Sequence, residues 1–254
     1  MDPAAYPHFG CDFGRVGCGV MPALSVETIS GLLAPYLEGS GSDSGPNPGP
    51  NPGLNRDPGQ LWAQLSIYLD LLLKWNARTN LTAIREPEEI VRRHFGESLF
   101  AGRQLGACKT LLDFGSGAGF PGMPIQLLRP DIQVTLAESQ NKKATFLREV
   151  VRTLGLKTEI WAGRVEAMPL ERCFDVVAMR AVDDMGVALR EARARVAAGG
   201  QLMVLTTSGA LSGAGRGAGK MVALPQSGNG IVYLEMFHVE RSERHIEEQP
   251  DETP

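Results

Sequence analysis

The chain has 254 residues, of which 43% are hydrophobic and 21% are charged, and it contains no apolar run long enough for a transmembrane helix. These values predict one sizeable core with appendages and exclude a membrane-spanning or largely disordered chain. The formal charge is −4, but residues 1–60 contribute −4 and residues 235–254 contribute −5, which leaves +5 on residues 61–234. This basic core is either ordinary solvated surface or a surface that attracts a polyanion such as RNA.

The cellular context can be read from two further features. The N-terminus lacks the basic start and apolar block of a secretory signal, so we expect a cytoplasmic protein without membrane contact. The four cysteines have neither metal-ligand spacing nor a disulfide pattern, so we expect free thiols and no metal site.

The N-terminal quarter of the chain predicts little packed structure. Residues 1–38 form an N-terminal extension in which residues 25–37 have a helical pattern with Ser25 at the N-cap position, although Met21 could equally be the start of the protein. Residues 39–59 repeat Pro and Gly and predict a disordered linker, because such a composition cannot bury a core. We therefore expect the ordered domain to begin near residue 60.

Residues 60–106 predict a helical cap. Apolar residues from Leu61 to Trp75 share one face of a helix, and a second helix is expected over residues 86–99. The polar side of this second helix carries three residues that we expect to contact RNA, namely Arg92, Arg93 and His94. For His94 the pattern itself favours a position at the helix surface or a structural hydrogen bond over a contact to the nucleic-acid backbone or the active site.

Strands and helices alternate over residues 107–240. Strands are predicted over 111–114, 132–137, 157–162, 174–179, 201–206 and 231–239, and helices after Pro121 and over 140–154 and 184–196. Gly199 and Gly200 predict a turn, residues 207–219 a loop, and residues 241–254 an acidic tail. The alternation predicts an α/β fold with a mainly parallel sheet and helices on both faces.

A glycine-rich turn follows the first strand. Gly115, Gly117 and Gly119 permit positive φ and keep side chains away from a ligand, and the following helix offers its free N–H groups. In a doubly wound sheet this turn is the nucleotide-binding corner, although many such matches are only tight turns.

Glu138 stands at the end of the second strand, 19 residues after Gly119. A carboxylate there can accept hydrogen bonds from the ribose hydroxyls of an adenosine cofactor, or it can simply stabilise the N-terminus of the next helix. The third glycine of a dinucleotide pattern would fall at Phe120, whereas this chain has G-x-G-x-G behind Asp113. That spacing favours S-adenosylmethionine over a nicotinamide dinucleotide.

Several separated motifs resemble, in order, the RsmG (GidB) family of small-subunit ribosomal RNA guanine-N7 methyltransferases. They are Trp75-Asn76, Asn80-Leu81-Thr82, Arg93-His94, Glu97-Ser98-Leu99, Asp113 to Gly122, Glu138-Ser139, Lys142-Lys143, Phe146-Leu147, Arg164-Val165-Glu166 and Arg180-Ala181. The resemblance covers about residues 60–240. It implies a class I S-adenosylmethionine-dependent methyltransferase, with a Rossmann-like doubly wound sheet and an N-terminal helical extension, that methylates N7 of a guanine in 16S ribosomal RNA.

The resemblance also implies roles for individual residues. The residues implied in cofactor binding are Gly115, Gly117, Gly119 and Phe120 around the methionine and adenosine, Glu138 at the ribose, and Val165 and Glu166 at the adenine edge. Arg180 would face the cofactor or the target base and would orient the base, with no general base required. A structural pairing of Arg180 with Glu166 or Asp113 is the alternative.

The RNA surface follows from the clustered cations. Lys142 and Lys143 join Arg92, Arg93 and His94 as expected RNA contacts, because cations that neutralise phosphates release counterions. The expected partner is ribosomal RNA or the small-subunit particle, and we expect a monomer.

One departure from the family keeps a second interpretation open. Family members often carry a lysine in a Leu-Lys-Gly segment after the fifth strand, whereas this chain reads Leu205-Thr206-Thr207-Ser208-Gly209. The chain could therefore be a non-catalytic RNA-binding or ribosome-assembly factor that retains the fold. A nucleotide-linked oxidoreductase is a more distant third interpretation.

Overall fold

The computed structural model describes residues 22–38, 57–180, 185–212 and 217–237. Its strands are β1 Thr110–Phe114, β2 Gln133–Ala137, β3 Glu159–Trp161, β4 Phe174–Arg180, β5 Val196–Thr207, β6 Gly219–Ala223 and β7 Gly230–Met236. Its α-helices are α1 Val26–Leu37, α2 Pro58–Thr79, α3 Pro87–Ile90, α4 Glu97–Arg103, α5 Gly122–Leu128, α6 Asn141–Thr153, α7 Met185–Arg193 and α8 Ser208–Ser212. A π-helical segment, Val91–Gly96, joins α3 to α4, and Val165–Ala167 form a 3-10 turn.

The strands form a seven-stranded sheet in the order β3-β2-β1-β4-β5-β7-β6. Strands β1 to β5 pair in parallel, whereas β7 runs antiparallel to both β5 and β6. The central strands are apolar on both faces, as in Leu111 and Leu112 of β1, because helices cover both sides of a parallel sheet. The predicted α/β fold with a mainly parallel sheet is confirmed.

One prediction around β5 was wrong. The helix expected over about 184–196 is present and ends at Arg193, but β5 begins at Val196 and runs through both glycines that predicted a turn. Gly199 has a φ of 77°, and a Cβ on Gly200 would lie 2.8 Å from the Asp175 carbonyl oxygen of the neighbouring strand. The glycines therefore allow an irregular, closely paired strand to continue, and the register of β4 against β5 shifts nearby.

The predicted loop over 207–219 contains the short helix α8 and the first residue of β6. Strand β6 lies at an edge of the sheet, and most of its residues are exposed. An exposed edge strand lacks the alternation of buried and exposed residues that identifies a strand in a sequence. This is why β6 was missed.

The N-terminal helix belongs to the core of the domain. Ser25 caps α1 as expected, since its side chain accepts a hydrogen bond from the Thr28 N–H at 3.2 Å. Ile29, Leu33 and Tyr36 of α1 are buried in the main apolar cluster, so the packed structure begins before residue 60. Most of the predicted linker, the acidic tail and residues 1–21 lie outside the described residues.

The helical cap is tied to the sheet by aromatic packing. The Tyr68 ring of α2 stacks on Phe95 and Phe120 at centroid distances of 5.1 and 5.6 Å, and its hydroxyl donates to the Ala118 carbonyl oxygen. A Cβ on Gly96 would lie 2.6 Å from the Tyr36 ring, so glycine is needed where α1 crosses the π-helical segment. Within the described parts of the chain, no helix combines the length and apolar content needed to cross a membrane.

Candidate active site

The glycine-rich turn lies at the carboxyl end of β1. Gly115, Gly117 and Gly119 have φ values of 69°, 59° and 97°, as their predicted role requires. A Cβ on Gly117 would meet nothing closer than the Gly115 carbonyl oxygen at 3.9 Å, so this part of the turn faces open space. A Cβ on Gly119 would lie 2.5 Å from the Tyr68 hydroxyl, which gives Gly119 a packing role against the cap.

Asp113 anchors the helix that follows the turn. Its Oδ2 accepts a hydrogen bond from the Gly122 N–H at 2.9 Å, which satisfies a free donor at the start of α5. The side chain is fully buried, and its Oδ1 has no hydrogen-bond partner among the described residues. Burial raises the pKa of Asp113 to about 7, against the hydrogen bonds from Gly122 and Ser116 that lower it.

Glu138 directly follows β2 and points toward the glycine-rich turn. Its Oε2 accepts from the Gly117 N–H at 2.9 Å, and its Oε1 accepts from the Gln140 N–H at 2.7 Å, next to the start of α6. The residue is buried, but each carboxylate oxygen has a second acceptor position. The contact with Gly117 places the carboxylate beside the glycine-rich turn, as predicted, and the contact with Gln140 corresponds to the alternative in which Glu138 stabilises the start of the next helix.

The segment after β3 is held by an arginine that the sequence did not reveal. Arg195 is 1% exposed, and its Nη2 donates to the carbonyl oxygens of Val165 and Met168 at 3.1 and 2.7 Å. Val165 is buried beneath this turn, whereas Glu166 is exposed. Arg195 thus fixes the backbone of the two residues expected at the adenine edge.

Arg180 ends β4 and pairs with a residue that was not expected. Its Nη2 donates to Glu97 Oε2 at 2.8 Å, so neither Glu166 nor Asp113 is its ion-pair partner. The sequence could not show this, because the partner lies 83 residues away on the helical cap. Burial lowers the pKa of Arg180 and raises that of Glu97, and the charge of each opposes the shift in the other. Arg180 Nη1 is buried and has no hydrogen-bond partner among the described residues.

His94 lies inside the cap rather than among exposed cations. Its Nε2 is 2.8 Å from Thr82 Oγ1, and its ring stacks on Phe120 at a centroid distance of 4.5 Å. Burial, and then the charges of Arg180 and Arg93, lower the pKa of His94 to about 3. A neutral, hydrogen-bonded imidazole corresponds to the structural alternative for His94 and not to a phosphate contact.

The other expected RNA contacts lie on two elements. Arg92 pairs with Glu88 at 2.9 Å, and Arg93 is 3.8 Å from both Glu89 and Glu97. Lys142 and Lys143 stand in the first turn of α6, just after Glu138, with Lys142 exposed and Lys143 half-buried.

A cavity of about 310 Å³ opens beside Arg180, between the cap and the ends of β5 and β7. Its polar lining includes Glu97, Arg180, Thr206, Thr207 and Asn229. Hydroxyl groups stand where the family's lysine was expected. Glu97 had no predicted role, although its motif was among those that carry the resemblance.

This arrangement suits an adenosine cofactor in three respects. The glycine-rich turn faces open space at Gly117, a carboxylate ends β2 beside it, and a buried guanidinium nitrogen without a described partner lies at the end of β4. The strand order, with β7 inserted antiparallel between β5 and β6, is that of the class I methyltransferase fold.

The family model described as rRNA small subunit methyltransferase G (GidB) matches residues 61–215. The chain belongs to this family, and the resemblance seen in its motifs is confirmed.

Curated relatives and solved structures are also similar to the chain. A protein of Nitrosomonas europaea named ribosomal RNA small subunit methyltransferase G is 44% identical over 130 residues, which are 51% of this chain and 60% of that protein. One of the same name from Clostridium perfringens is 44% identical over 133 residues, 50% of this chain and 56% of that protein. The matches thus span less than two thirds of these two relatives. A ribosomal protein L11 methylase structure from Lactobacillus delbrueckii subsp. bulgaricus has a TM-score of 0.49 at 11% identity, covering 58% of this chain and 80% of that one.

Proposed function

We propose that the protein transfers a methyl group from S-adenosylmethionine to N7 of a guanine in 16S ribosomal RNA. The observation that carries the proposal is the placement of the Glu138 carboxylate, 2.9 Å from the Gly117 N–H, at the open side of the glycine-rich turn. Family membership supplies the ribosomal substrate class.

The cofactor half of the site is formed by β1, β2 and the turn after β3. Gly115, Gly117 and Phe120 line the methionine and adenosine part, and Glu138 accepts hydrogen bonds from the ribose hydroxyls. Val165 and Glu166 border the adenine, on a backbone that Arg195 holds in place. When bound, S-adenosylmethionine supplies a methyl group activated by its positively charged sulfur.

The transfer needs no general base, because N7 of neutral guanine carries a lone pair and no proton. With S-adenosylmethionine bound, that lone pair would form the bond to the methyl carbon while the carbon–sulfur bond breaks and its electron pair stays on sulfur. Rate enhancement then depends on in-line alignment of N7, carbon and sulfur. Arg180 orients the base, and His94 stays neutral because burial lowers its pKa to about 3.

The target guanine must leave its stack before it can reach this site, because side chains cannot read the Hoogsteen edge in the deep major groove of an RNA helix. Lys142 and Lys143, together with Arg92 and Arg93, bind the RNA backbone beside the site. The substrate is either naked ribosomal RNA or the small-subunit particle. The protein acts in the cytoplasm as a monomer.

A two-part experiment tests this function. The protein is first titrated with S-adenosylmethionine and with NAD, and saturable binding of the first alone excludes an oxidoreductase. It is then incubated with methyl-labelled cofactor and small-subunit RNA, either naked or as particles. Transfer of label to RNA is expected. Cofactor binding without any transfer would instead support the non-catalytic assembly factor that the missing lysine left open.

A further inference from the structure

Glu97 is a buried carboxylate to which the transfer chemistry assigns no role. It begins α4 on the helical cap, is 5% exposed, and lines the cavity of about 310 Å³ together with Arg180. Its Oε2 accepts the hydrogen bond from Arg180, whereas its Oε1 lies 3.8 Å from Arg93 Nε, beyond hydrogen-bond distance. A carboxylate accepts about four hydrogen bonds, so acceptor positions remain on Glu97 after this pairing.

The cavity lies next to the cofactor half along the carboxyl edge of the sheet. In the order β2-β1-β4-β5-β7, Glu138 follows β2, the glycine-rich turn follows β1, and Arg180 ends β4. Thr206 and Thr207 end β5, and Gly230 begins β7. Because β7 runs antiparallel to β5, its start lies beside the end of β5, and all three residues line the cavity at this edge of the sheet. The cavity therefore adjoins the cofactor half, with Arg180 between them, where a base would have to lie to receive the methyl group.

We propose that this cavity receives the target base and that Glu97 selects guanine by accepting hydrogen bonds from its Watson–Crick edge. The proposal rests on the proposed function and adds a specificity-determining residue to it. Arg180 holds the Glu97 carboxylate in place through a hydrogen bond of 2.8 Å, while Thr206, Thr207 and Asn229 supply further polar groups to the cavity.

The chemistry of the two purines explains why a carboxylate suits this task. Guanine presents N1–H and the N2 amino group side by side, which are two donors that match two carboxylate oxygens. Adenine presents an unprotonated N1, which would face the carboxylate as a second acceptor and leave it unpaired. A buried group left without its partner discriminates strongly against the wrong ligand. In this orientation N7 lies on the opposite side of the purine and is free to face the methyl donor.

A merely structural role is the competing explanation, since the Arg180–Glu97 pair also joins the cap to the sheet. Inosine separates the two explanations, because it lacks only the N2 amino group and retains N1–H and N7. After the methylated guanine has been mapped, an RNA with inosine at that position is compared with the guanine RNA under single-turnover conditions. Both RNAs are tested with the wild-type protein, with Glu97→Gln and with Glu171→Gln, which changes an exposed carboxylate between β3 and β4.

The wild-type protein and Glu171→Gln should methylate guanine about 10-fold or more faster than inosine, because a hydrogen bond to a buried charged group is lost. With Glu97→Gln the guanine rate should fall and the guanine-to-inosine ratio should drop about 10-fold or more below that of the wild-type protein, while S-adenosylmethionine affinity stays unchanged. Any intrinsic difference in N7 reactivity cancels when the ratios of the variants are compared.

Three outcomes would overturn the inference, and a fourth would count against the proposed function. An unchanged ratio in Glu97→Gln, with both rates lowered equally, would assign Glu97 a structural role only. Equal rates on the two RNAs with the wild-type protein would overturn the proposal without any variant. If Glu97→Gln does not fold, Glu97→Asp is used, which keeps the charge but withdraws it by one methylene, and an undiminished preference would overturn the proposal. Failure of the wild-type protein to methylate the guanine RNA at all would count against the proposed function instead.

Discussion

The two halves of the sheet's carboxyl edge are built in different ways. In the cofactor half, the two carboxylates bind backbone groups of the sheet and its turns: Asp113 binds a backbone N–H 9 residues away, and Glu138 binds one 21 residues away. In the base half, beside the cavity, Arg180 binds a side chain 83 residues away on the helical cap. The carboxylate contacts of the cofactor half therefore do not include the cap, whereas the ion pair of the base half requires it.

The largest effect is expected where the glycine-rich turn meets the cap. Gly119→Ala would place a Cβ 2.5 Å from the Tyr68 hydroxyl at a φ of 97°, and should lower the free energy of unfolding by about 3 kcal/mol through strain and overpacking. Gly155→Ala is the matched control, since its φ of 63° is also positive but its Cβ would meet nothing within 4 Å. Urea denaturation should show a loss of only about 1 kcal/mol for the control. Equal losses would mean that the turn is not packed against the cap.

Arg180→Ala should separate catalysis from binding. It removes the group that we propose to orient the base and leaves Glu97 without its closest partner, so single-turnover methylation should slow by about 100-fold. RNA affinity should change much less, because the exposed cations remain. Arg172→Ala is the control: it breaks the Arg172–Glu159 pair next to the start of β4, at the opposite end of the strand from Arg180, and should leave the rate unchanged. A parallel fall in RNA affinity with Arg180→Ala would make Arg180 a binding residue.

Glu138→Ala tests the cofactor half alone. Loss of the carboxylate that faces the Gly117 N–H should weaken S-adenosylmethionine binding by about 1–3 kcal/mol, as measured by calorimetric titration. The guanine-to-inosine preference should persist, because Glu97 lies in the other half. Unchanged cofactor affinity would leave Glu138 as a residue that only stabilises the start of α6.

Two buried groups, His94 in the cap and Asp113 in the cofactor half, should respond to pH with opposite signs. The pKa of His94 is lowered to about 3 in the folded protein. The free energy of unfolding therefore falls as the pH drops from about 6.5 toward 3, because only the unfolded chain gains the proton in this range. The pKa of Asp113 is raised to about 7, so stability instead falls as pH rises from about 4 toward 7. Between pH 5 and 7 the two slopes oppose each other.

Single variants should therefore reveal each slope in urea denaturation at pH 5 and pH 7. His94→Phe should be more stable at pH 5 than at pH 7, and Asp113→Asn less stable at pH 5 than at pH 7, each by about 1–2 kcal/mol. The same pH response in both variants would contradict the opposite burial effects assigned to these residues.

The smallest effects concern the RNA surface. Lys142→Ala with Lys143→Ala should reduce the salt dependence of RNA binding by about two units of slope, as expected for two phosphate contacts. Arg92→Ala with Arg93→Ala should reduce it less, because these arginines already pair with glutamates at 2.9–3.8 Å. Lys109→Ala, exposed just before β1 at the opposite edge of the sheet, serves as the control. An unaltered slope in all variants would place the RNA surface elsewhere.

The cofactor half could be predicted from the sequence because its determinants are local. Three glycines that need positive φ, an acid at the end of the next strand and a strict alternation of strands and helices lie within short, patterned segments. Their geometry follows from backbone rules that each residue carries with it.

The base half could not be predicted in the same way. The pairing of Arg180 with Glu97 requires the cap to fold onto the sheet. The hydrogen bond of Arg195 to the Val165 carbonyl oxygen, in the cofactor half, was missed for the same reason, because it spans 30 residues. Helix α1 was placed outside the domain because the Pro/Gly-rich stretch after it suggested a boundary, yet three of its apolar residues fill the core. A boundary in composition therefore does not identify which segments pack together.

The most direct test of the central claim is the chemical identity of the methylated atom. Small-subunit RNA treated with the protein and S-adenosylmethionine is reduced with borohydride and cleaved with aniline, which breaks the strand at N7-methylguanine. Cleavage at one guanine, dependent on both the protein and the cofactor, is the expected result. An intact strand with the methyl group on N1, N2 or a ribose oxygen would contradict direct attack by N7 and the arrangement of cofactor and base derived from this site.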